Sequence, residues 1–579
     1  MVKKSKEYPE IDTKILSQFS FGDPDAKSDD VLFHCFQKIH GVEEFLGGSK
    51  NIVLGERGAG KSALFKMVTD GKLQFNFDRK DKPKHQVIVP IEDDLEYLAI
   101  ANVVENRFID RTKRSHGKYR YLWELYILSK AIEKMEEVVG TDKEIQTLRQ
   151  DLGDVLGLPS TRGFQMKDLF TSYKFTMGGK IDHTGSVTPT MSIEPAKDSN
   201  TAKVEVTDYE ISQIRNRLRK FIKSKNSVVI VLVDKIDDFV VGLNYEEQLK
   251  NIQALVECTQ DYRFPEIKLK IFLRADLYNK LNFERGGYDK IAPQVVRLEW
   301  TLDDICEFVA RRLYYNYKQL DLKIPDPGIN VNLLDLDTSL KEQIKDIIRE
   351  RPNNFSGAFV LIAKTLLIAS KVKWSRYRKK SHSARKTDFL WEVWLKLVTY
   401  IFPRRVGHYN TNCKWEEIPI EQFFNSHFKL GGNNPNPRLI LLFLQSVFEA
   451  ANSYYSKNPD QRLIPANDMG EYELILKEHV LTGYKQLQIT ARTTVSQMNV
   501  QWRQKVELLF AIFNTPRKCQ GVSIDVIREG IDWDSSPENL RRFITFFTHV
   551  GLFVPDNPSV AFEKRTYSLP IVMKTCHGC

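Results

Sequence analysis

The chain has 579 residues and a net charge of +10, and 42% of its residues are hydrophobic and 11% aromatic. This length exceeds one hydrophobic core, so we expect several domains at roughly 150 residues each. The charge is a mild excess for this length, so a nucleic-acid partner has to be argued from local clusters. The seven cysteines favour a reducing cytoplasm. No apolar run approaches the roughly 20 residues of a membrane span, and we expect no signal peptide.

A phosphate-binding loop is the clearest motif. Asn51–Leu54 is a short apolar run typical of a buried parallel strand, and Ala63–Val68 is strongly helix-compatible. Between them, GERGAGKS matches every fixed position of G-x-x-x-x-G-K-[ST], where glycines let backbone N–H groups point at phosphate oxygens. The motif lysine reaches the β- and γ-phosphates, and the serine hydroxyl binds magnesium. The predicted ATP-binding residues are Gly55, Glu56, Arg57, Gly58, Ala59, Gly60, Lys61 (also catalytic), Ser62 (also a magnesium ligand) and Ala63.

An insertion at about residues 101–205 is predicted between the second core strand, Gln86–Ile91, and the next one. It begins with a helix, Tyr121–Val139, and its segment SYKFTMGGKIDHTGSVTPTMSIEP indicates a β-hairpin. We expect the insertion to contact a partner or another copy, with a surface excursion as the alternative. A helix follows whose basic residues are mostly expected on a solvated face: Arg215, Arg217, Arg219, Lys220 and Lys223.

The second strand that an ATPase needs is Val228–Val233, an unbroken run of β-branched residues and leucine. It ends at Asp234, where a carboxylate is costly unless a metal or hydrogen bonds satisfy it. We therefore predict Asp234 as a magnesium ligand. We predict Asp237 to orient the attacking water, with Asp238 as the alternative.

A third strand, Lys268–Leu273, ends at Arg274. In P-loop ATPases with an extra strand between the phosphate-loop strand and the magnesium-aspartate strand, a polar residue at this tip contacts the γ-phosphate. We predict this catalytic role for Arg274, with a structural salt bridge to Asp276 or Asp234 as the alternative. Val295–Leu313 then indicates a strand, a turn and an amphipathic helix that lead into a helical lid.

Two regions are candidates for nucleic-acid contact. Residues 371–386 hold eight Lys or Arg among sixteen residues, interleaved with aromatic rings, which suits phosphate neutralisation and base stacking. An exposed basic loop is the alternative. Residues from about 500 to 575 indicate a winged helix, with helices at Val506–Asn514, Ser523–Glu529 and Pro537–Val550 and then two strands. This domain either binds DNA or packs on protein. The candidate contacts are Lys371, Lys373, Trp374, Arg376, Tyr377, Arg378, Lys379, Lys380, Arg541 and Arg542.

Five segments together resemble bacterial P-loop ATPases of the AAA+/STAND grade. They look closest to the origin-recognition-complex-like ATPases that recur in antiphage defence islands. The resemblance covers roughly residues 20–110 and 205–320 and, more loosely, the C-terminal half. The segments are FGDPDAKSDDVLFHCF, VLGERGAGKSALF, VIVLVDKIDDF, IFLRADL and RLEWTLDDICEFVARRL.

The resemblance implies an ATPase core, a helical lid, a winged helix and often an oligomer. It also implies that a lid arginine touches the γ-phosphate, for which we predict Arg438, with Arg351 as a competing match. AAA+ proteins place a glutamate directly after the magnesium aspartate, whereas this chain has Lys235 there. The carboxylates that follow are spaced as in STAND ATPases, which favours slow hydrolysis in a switch. Candidates for an arginine finger from a neighbouring subunit are Arg285, Arg311 and Arg312.

The sequence therefore predicts an α/β fold: a P-loop NTPase of ASCE/AAA+-like type with a parallel-sheet core, a helical lid and a C-terminal winged-helix domain. The predicted regions are a helical leader at 1–48 with an amphipathic helix from Asp29 to Phe45, the ATPase core at 49–300, the lid and linker at 301–490, and the winged helix at 500–579.

We predict an ATP- and Mg²⁺-dependent ATPase that acts as a nucleotide-driven switch or oligomeric sensor in prokaryotic antiphage defence. The expected partners are further copies of the chain and a separate effector protein encoded nearby, with nucleic acid left open and no membrane. A DNA-binding AAA+ ATPase of initiator, loader or transposition-regulator type is the alternative.

Overall fold

The structure is a computed structural model of the chain. The residues that it describes are 13–77, 83–92, 97, 115–140, 142–155, 173–181, 187–195, 208–236, 245–283, 288–320, 398–399, 401–409, 415–429, 434–458, 475–497, 503–513, 521–533, 536–549, 552–557 and 559–573.

The N-terminal elements are two short helices, the strands and helices around a central sheet, and a hairpin. In chain order they are α1 (Leu32–Cys35), α2 (Val42–Leu46), β1 (Ile52–Gly55), α3 (Lys61–Thr69), β2 (His85–Ile91), α4 (Ser115–Val139), α5 (Lys143–Val155), β3 (Tyr173–Ile181), β4 (Val187–Pro195), α6 (Asp208–Ser224), β5 (Ser227–Val233), α7 (Tyr245–Cys258), β6 (Ile267–Arg274), α8 (Ala275–Tyr278), α9 (Tyr288–Ile291), β7 (Val295–Arg297) and α10 (Leu302–Gln319).

The C-terminal elements are helices of the lid region, a short hairpin and a small sheet with its helices. In chain order they are β8 (Arg405–Tyr409), β9 (Trp415–Pro419), α11 (Ile420–His427), α12 (Pro437–Lys457), α13 (Lys477–Gln497), α14 (Arg503–Phe513), β10 (Val522–Ser523), α15 (Ile524–Gly530), α16 (Pro537–His549), β11 (Val554–Pro555) and β12 (Thr566–Ser568). None of the described helices combines the length and apolar character that crossing a membrane requires.

The central sheet has five parallel strands in the order β2–β5–β6–β1–β7. β6 lies between the other two site strands: Val53 of β1 pairs with Phe272, and Val231 of β5 pairs with Leu269. The phosphate loop follows β1, and Asp234 follows β5. Because carboxyl ends of parallel strands share one edge of the sheet, these residues lie at the edge where ligands bind in open α/β sheets. The parallel sheet, the P-loop and the extra strand confirm the predicted P-loop NTPase core.

The side chains of β5 alternate between two hydrophobic cores, as strand geometry requires. One core joins the sheet to the leader, α3 and the lid, and the other joins it to α4, α6 and α7. Both faces of β5 are therefore covered, which explains why the strand is apolar at every position from Val228 to Val233. The β5 residues of the first core are Val228, Ile230 and Leu232, and those of the second are Val229, Val231 and Val233.

The predicted leader helix from Asp29 to Phe45 is wrong, because the structure has two short helices, α1 and α2, in its place. Gly41 separates them with a φ of 94°, in the left-handed region that glycine tolerates. A Cβ atom there would lie 2.5 Å from the carbonyl oxygen of Arg297. His40 also forms an isolated bridge with Glu299, beyond β7. This contact turns the leader towards the sheet, and periodicity alone does not reveal such a turn.

The first helix of the predicted insertion packs against the central sheet and α7. Trp123 of α4 is fully buried, and its Nε1 donates to Oδ1 of Asn251 on α7 at 2.8 Å. The predicted β-hairpin is present as β3 and β4, which pair antiparallel from Tyr173 with Pro195 to Ile181 with Val187. Helix α4 therefore packs on the sheet, and α5 packs on α4 and α6, which the prediction of an insertion did not anticipate.

Ion pairs hold two of the basic residues of α6 that were predicted on a mostly solvated face. Arg215 donates to Glu124 at 3.0 Å, and Arg219 pairs with Glu266 at 3.2 Å. Their side chains are only 14% and 23% exposed. The prediction is therefore wrong for these two arginines, because α6 packs against α4 and α5 and the acids of neighbouring elements face it.

The C-terminal elements follow in the order helix, strand, helix, helix, strand, strand, from α14 to β12. β10, β12 and β11 form a three-stranded antiparallel sheet, in which Val522 and Pro555 both pair with Tyr567. The three helices begin and end close to their predicted bounds. That they form a winged-helix domain stays a prediction. The basic segment 371–386 lies outside the described residues.

Candidate nucleotide-binding site

The loop after β1 has the backbone conformation that its glycines allow. Gly58 and Gly60 have φ values of 81° and 91°, in the left-handed region. Gly60 is the N-cap of α3, so the N–H groups of the first helical turn lie next to this loop. Nζ of Lys61 donates to the carbonyl oxygens of Gly55 at 3.0 Å and Glu56 at 2.9 Å. A curled loop, a helix N-terminus and a lysine together suit a phosphate group.

Burial raises the pKa of the Glu56 carboxyl above its ordinary value, and the neighbouring Lys61 ammonium opposes this rise. A raised pKa makes the carboxylate easier to neutralise.

One cavity of about 350 Å³ brings the predicted nucleotide residues together. Its wall includes residues 57–63 of the P-loop, Asp234 after β5, Arg274 at the end of β6 and Arg438 at the start of α12. It also includes leader residues that the sequence analysis had not placed in the site: Asp23, Pro24, Asp25, Ala26 and Asp29. The cavity is therefore bounded by the leader, the core and the lid.

Ser62 and Asp234 supply the donors that a magnesium ion prefers. Both line the cavity, and Asp234 is 3% exposed. The Asp234 N–H donates to the carbonyl of Ile91 at 3.1 Å, which ties the end of β5 to β2. A hydroxyl and a carboxylate are hard oxygen ligands, and Mg²⁺ in nucleotide sites takes one or two protein carboxylates and completes its shell with phosphates and water. The pair therefore fits Mg²⁺.

Lys235 turns the chain directly after Asp234. Its φ is 56°, which few residues other than glycine, asparagine and aspartate adopt. Such strained positions cluster at functional sites, and Lys235 lines the cavity. Asp237 and Asp238 lie outside the described residues, so their assignment stays a prediction.

Arg274 forms a two-pronged ion pair with Asp276. Nη2 lies 2.8 Å from Oδ2, and Nε lies 3.1 Å from Oδ1. The salt bridge left open by the sequence is therefore present with Asp276. Arg274 also lines the cavity, so this pair orients the guanidinium at the wall.

Arg438 lies in the first turn of α12 and is exposed on the cavity wall. Its backbone N–H donates to Oδ1 of Asn436, the N-cap of the helix, at 3.0 Å. The competing lid arginine, Arg351, lies outside the described residues. Arg438 shares the cavity wall with the P-loop, and its role at the γ-phosphate stays a prediction.

Two side chains that the sequence analysis missed hold the P-loop from outside. Nδ2 of Asn436 donates to the carbonyl of Arg57 at 2.7 Å, and Nε1 of Trp300 donates to the carbonyl of Ala59 at 3.0 Å. Because both bind carbonyl oxygens, they leave the N–H groups of the loop for phosphate. The Asn-Pro pair is a visible helix N-terminal signal, but no local pattern indicates its partner.

Hydrogen bonds fix the leader at the cavity. Nζ of Lys66 on α3 donates to the carbonyls of Ala26 at 3.1 Å and Lys27 at 2.8 Å. On the lid side, Nε2 of Gln445 donates to the carbonyl of Gly22 at 2.8 Å. The only sequence signal for this role was the resemblance of the segment FGDPDAKSDDVLFHCF.

The candidates for an arginine finger differ in their surroundings. Arg312 is 2% exposed and pairs with buried Asp29 at 2.7 Å, which makes it an internal residue of this chain. Arg311 pairs with Glu307 on the same helix at 2.6 Å. Arg285 lies outside the described residues.

Of the nucleic-acid candidates, Arg541 and Arg542 lie in the described part of the chain, and both are exposed on α16. Arg542 pairs with Glu538 at 3.0 Å. Arg541 lies over the ring of Phe562, 5.1 Å from its centroid. The remaining candidates, in the basic segment, lie outside the described residues.

No family model matches the chain. A relative from Escherichia coli (strain K12), named "Putative transposon gamma-delta 80.3 kDa protein", is 22% identical over 316 residues, which are 52% of this chain and 40% of the relative. The chain thus spans less than half the length of this curated relative. The solved structure of the Aeropyrum pernix ORC2 protein in ADPNP–ADP complexes aligns with 92% of this chain and 86% of its own, at 10% identity and a TM-score of 0.25.

Proposed function

We propose that the chain is an ATP- and Mg²⁺-dependent P-loop ATPase that works as a nucleotide-driven switch. The observation that carries the proposal is the shared cavity wall on which Lys61, Ser62, Asp234, Arg274 and Arg438 meet. These side chains offer three cations for a triphosphate and two oxygen ligands for a metal ion. Phosphoryl transfer depends mainly on positioning and charge neutralisation, and this set provides both.

At the phosphate end, Lys61 exchanges its bonds to the carbonyls of Gly55 and Glu56 for bonds to the β- and γ-phosphates. The N–H groups of the P-loop bind the phosphates. Asn436 and Trp300 hold carbonyl oxygens of the same loop from the other side. Ser62 and Asp234 hold magnesium, which when bound neutralises charge on the β- and γ-phosphate oxygens.

At the reacting end, Asp237 orients the attacking water, with Asp238 as the alternative. Arg274 and Arg438 contact the γ-phosphate from β6 and from the lid. Arg438 is a lid residue, so loss of the γ-phosphate removes one contact between lid and core. This dependence of a lid contact on the γ-phosphate supports a switch.

The biological setting that we propose for the switch is prokaryotic antiphage defence in the cytoplasm. In this setting the ATP-bound chain forms a homo-oligomer and engages a separate effector protein. The proposal rests on the resemblance of five segments to ATPases found in defence islands, and it stays a prediction.

A DNA-binding ATPase of initiator, loader or transposition-regulator type is the second candidate. The name of the Escherichia coli relative links that protein to a transposon. The helix and strand order from α14 to β12 is that of a winged helix, which we propose as the domain here, and Arg541 and Arg542 are exposed on its third helix. In this function α16 and the basic segment 371–386 hold DNA.

ATP binding and phosphate release by the purified chain test the core proposal. Lys61→Ala should abolish ATP binding, whereas Lys143→Ala, an exposed lysine on α5, should leave it unchanged. Chelation of Mg²⁺ should stop phosphate release. Full ATP affinity in Lys61→Ala is the result that would overturn the proposal.

Addition of DNA to the same assay separates the two candidates. A DNA-stimulated rate that is lost when the lysines and arginines of 371–386 are neutralised supports the second function. A rate indifferent to single- and double-stranded DNA supports the switch with a protein trigger.

A further inference from the structure

Part of the cavity wall is apolar and comes from the leader, the segment between β7 and α10, and α10 itself. Its side chains are Leu32, Phe36, Ile39, Val42, Leu298 and Phe308. Small-molecule pockets are typically apolar with a few placed polar groups that set orientation and specificity. A nucleotide whose phosphates lie on the P-loop needs such a surface for its base. The polar atoms of this wall therefore decide which base it accepts.

Gln37 is a polar residue of this wall and is 6% exposed. Its Nε2 donates to Oδ1 of Asp304 at 3.2 Å. The other oxygen of Asp304 accepts the N–H of Thr301 at 2.9 Å and its hydroxyl at 2.7 Å, in the capping box of α10. Because a carboxylate only accepts hydrogen bonds, the amide nitrogen of Gln37 has to face Asp304. Oε1 of Gln37 is thereby fixed as an acceptor.

This acceptor has no hydrogen-bond partner among the residues that the structure describes, and it is buried. A buried polar atom without a partner is destabilising, and a ligand that supplies a donor removes that cost. Other polar groups nearby bond within the protein: Arg312 pairs with Asp29 at 2.7 Å, and Sγ of Cys35 lies 3.6 Å from the carbonyl of Arg311.

We infer that Oε1 of Gln37 accepts a hydrogen bond from the exocyclic amino group of adenine, so that Gln37 selects adenine over 6-oxopurines. The inference rests on the proposed ATPase function and names the residue that recognises the base. Guanine and hypoxanthine carry an oxygen at the same ring position. That oxygen would oppose a fixed acceptor, and a site built for a donor rejects a ligand that lacks it.

Three diphosphates that differ at position 6 of the purine, and in the case of inosine also by a proton on N1, test the assignment, and they avoid hydrolysis during the measurement. ADP carries an amino group, purine riboside diphosphate carries hydrogen, and inosine diphosphate carries oxygen. Isothermal titration of the full chain should show ADP binding about 10-fold more tightly than purine riboside diphosphate, with inosine diphosphate weakest. Gln37→Met, which keeps the length of the side chain, should reduce the preference for ADP over purine riboside diphosphate to about twofold or less.

Gln445→Met is the matched control, because Gln445 holds the leader through Gly22. This variant should lower the affinity for all three diphosphates by the same factor. An equal loss for all three ligands in Gln37→Met, or an unchanged preference for ADP in that variant, would overturn the assignment and leave the proposed function standing. If the wild-type chain binds none of the three diphosphates, both the assignment of Gln37 and the proposed function are wrong.

Discussion

Asn436 and Arg57 join the lid to the P-loop across 379 positions of sequence: Nδ2 of Asn436 donates to the Arg57 carbonyl at 2.7 Å. The same side chain caps α12 through its Oδ1, which accepts the Arg438 N–H at 3.0 Å. One residue therefore sets the start of the lid helix and the path of the phosphate loop. Any change in the loop on nucleotide binding would therefore act on the lid through this amide.

Asn436→Ser separates the two roles, because serine is a good N-cap but is too short to keep the bond to the loop. We expect ATP affinity to fall by about 2- to 12-fold, the effect of one hydrogen bond of roughly 0.5–1.5 kcal/mol. Asn436→Ala should lower affinity similarly and in addition destabilise α12 by about 1 kcal/mol. Asn452→Ala, roughly 24 Å further along the same helix, is the control. Equal ATP affinity in the wild type and Asn436→Ser would show that the amide does not position the loop.

Gly58 faces Asn436 so closely that no side chain fits. A Cβ atom on Gly58 would lie 2.4 Å from Oδ1 of Asn436. Gly58→Ala should therefore lower ATP affinity by more than about 10-fold, since it combines a left-handed φ with a steric conflict at the loop.

Gly71→Ala is a matched control for the cost of placing an alanine in a left-handed backbone conformation. Gly71 has a similar φ of 70°, but a Cβ atom there meets nothing within 4 Å. Both variants should lose about 1 kcal/mol of stability through the backbone, yet only Gly58→Ala should lose ATP affinity. Equal losses of ATP affinity in the two variants would mean that the contact with Asn436 has no role in binding.

Local pattern was enough to predict β1, the P-loop, α3, β5 and β6, because each is a short apolar run or a fixed motif whose neighbours follow directly in sequence. Long-range contacts were not predictable in this way. The partner of Asn436 lies on another element, and the periodicity from Asp29 to Phe45 fits a helix that Gly41 interrupts. Charge pattern on α6 likewise could not show that Glu124 lies opposite Arg215. In each case tertiary contacts decided the outcome over local preference.

Trp300 offers a second test of the loop supports, independent of the lid. Trp300→Phe keeps an aromatic ring against Phe308, whose centroid is 5.4 Å away, but removes the Nε1 donor to Ala59. We expect ATP affinity to fall by about 2- to 12-fold. Trp533→Phe, in the C-terminal part of the chain, should leave affinity unchanged. Unchanged ATP affinity in Trp300→Phe would contradict a supporting role for the indole.

His427 makes the lid region sensitive to acid. Burial, and then the neighbouring His408, lower the pKa of His427 from 6.5 to about 3. The imidazole stacks on the ring of Phe423, with ring centroids 4.3 Å apart, and lies near Tyr484 of α13. Nε2 of the neighbouring His408 lies 3.2 Å from Oε1 of Glu416. His427 is therefore neutral in the folded lid at pH 5, whereas in the unfolded chain it is largely protonated.

The unfolded state binds more protons between pH 6.5 and about 3, so stability is fully present above pH 6.5 and is lost as the pH falls through this range. From pH 7.5 to pH 5, the free energy of local opening of α11 should fall by about 2 kcal/mol, at 1.36 kcal/mol per pH unit below 6.5. His427→Phe should remove this fall, while His85→Phe, an exposed histidine at the start of β2, should retain it. Amide hydrogen exchange in α11, corrected for the intrinsic rate at each pH, measures the difference. The same pH dependence in His427→Phe as in the wild type would assign the acid sensitivity to another group.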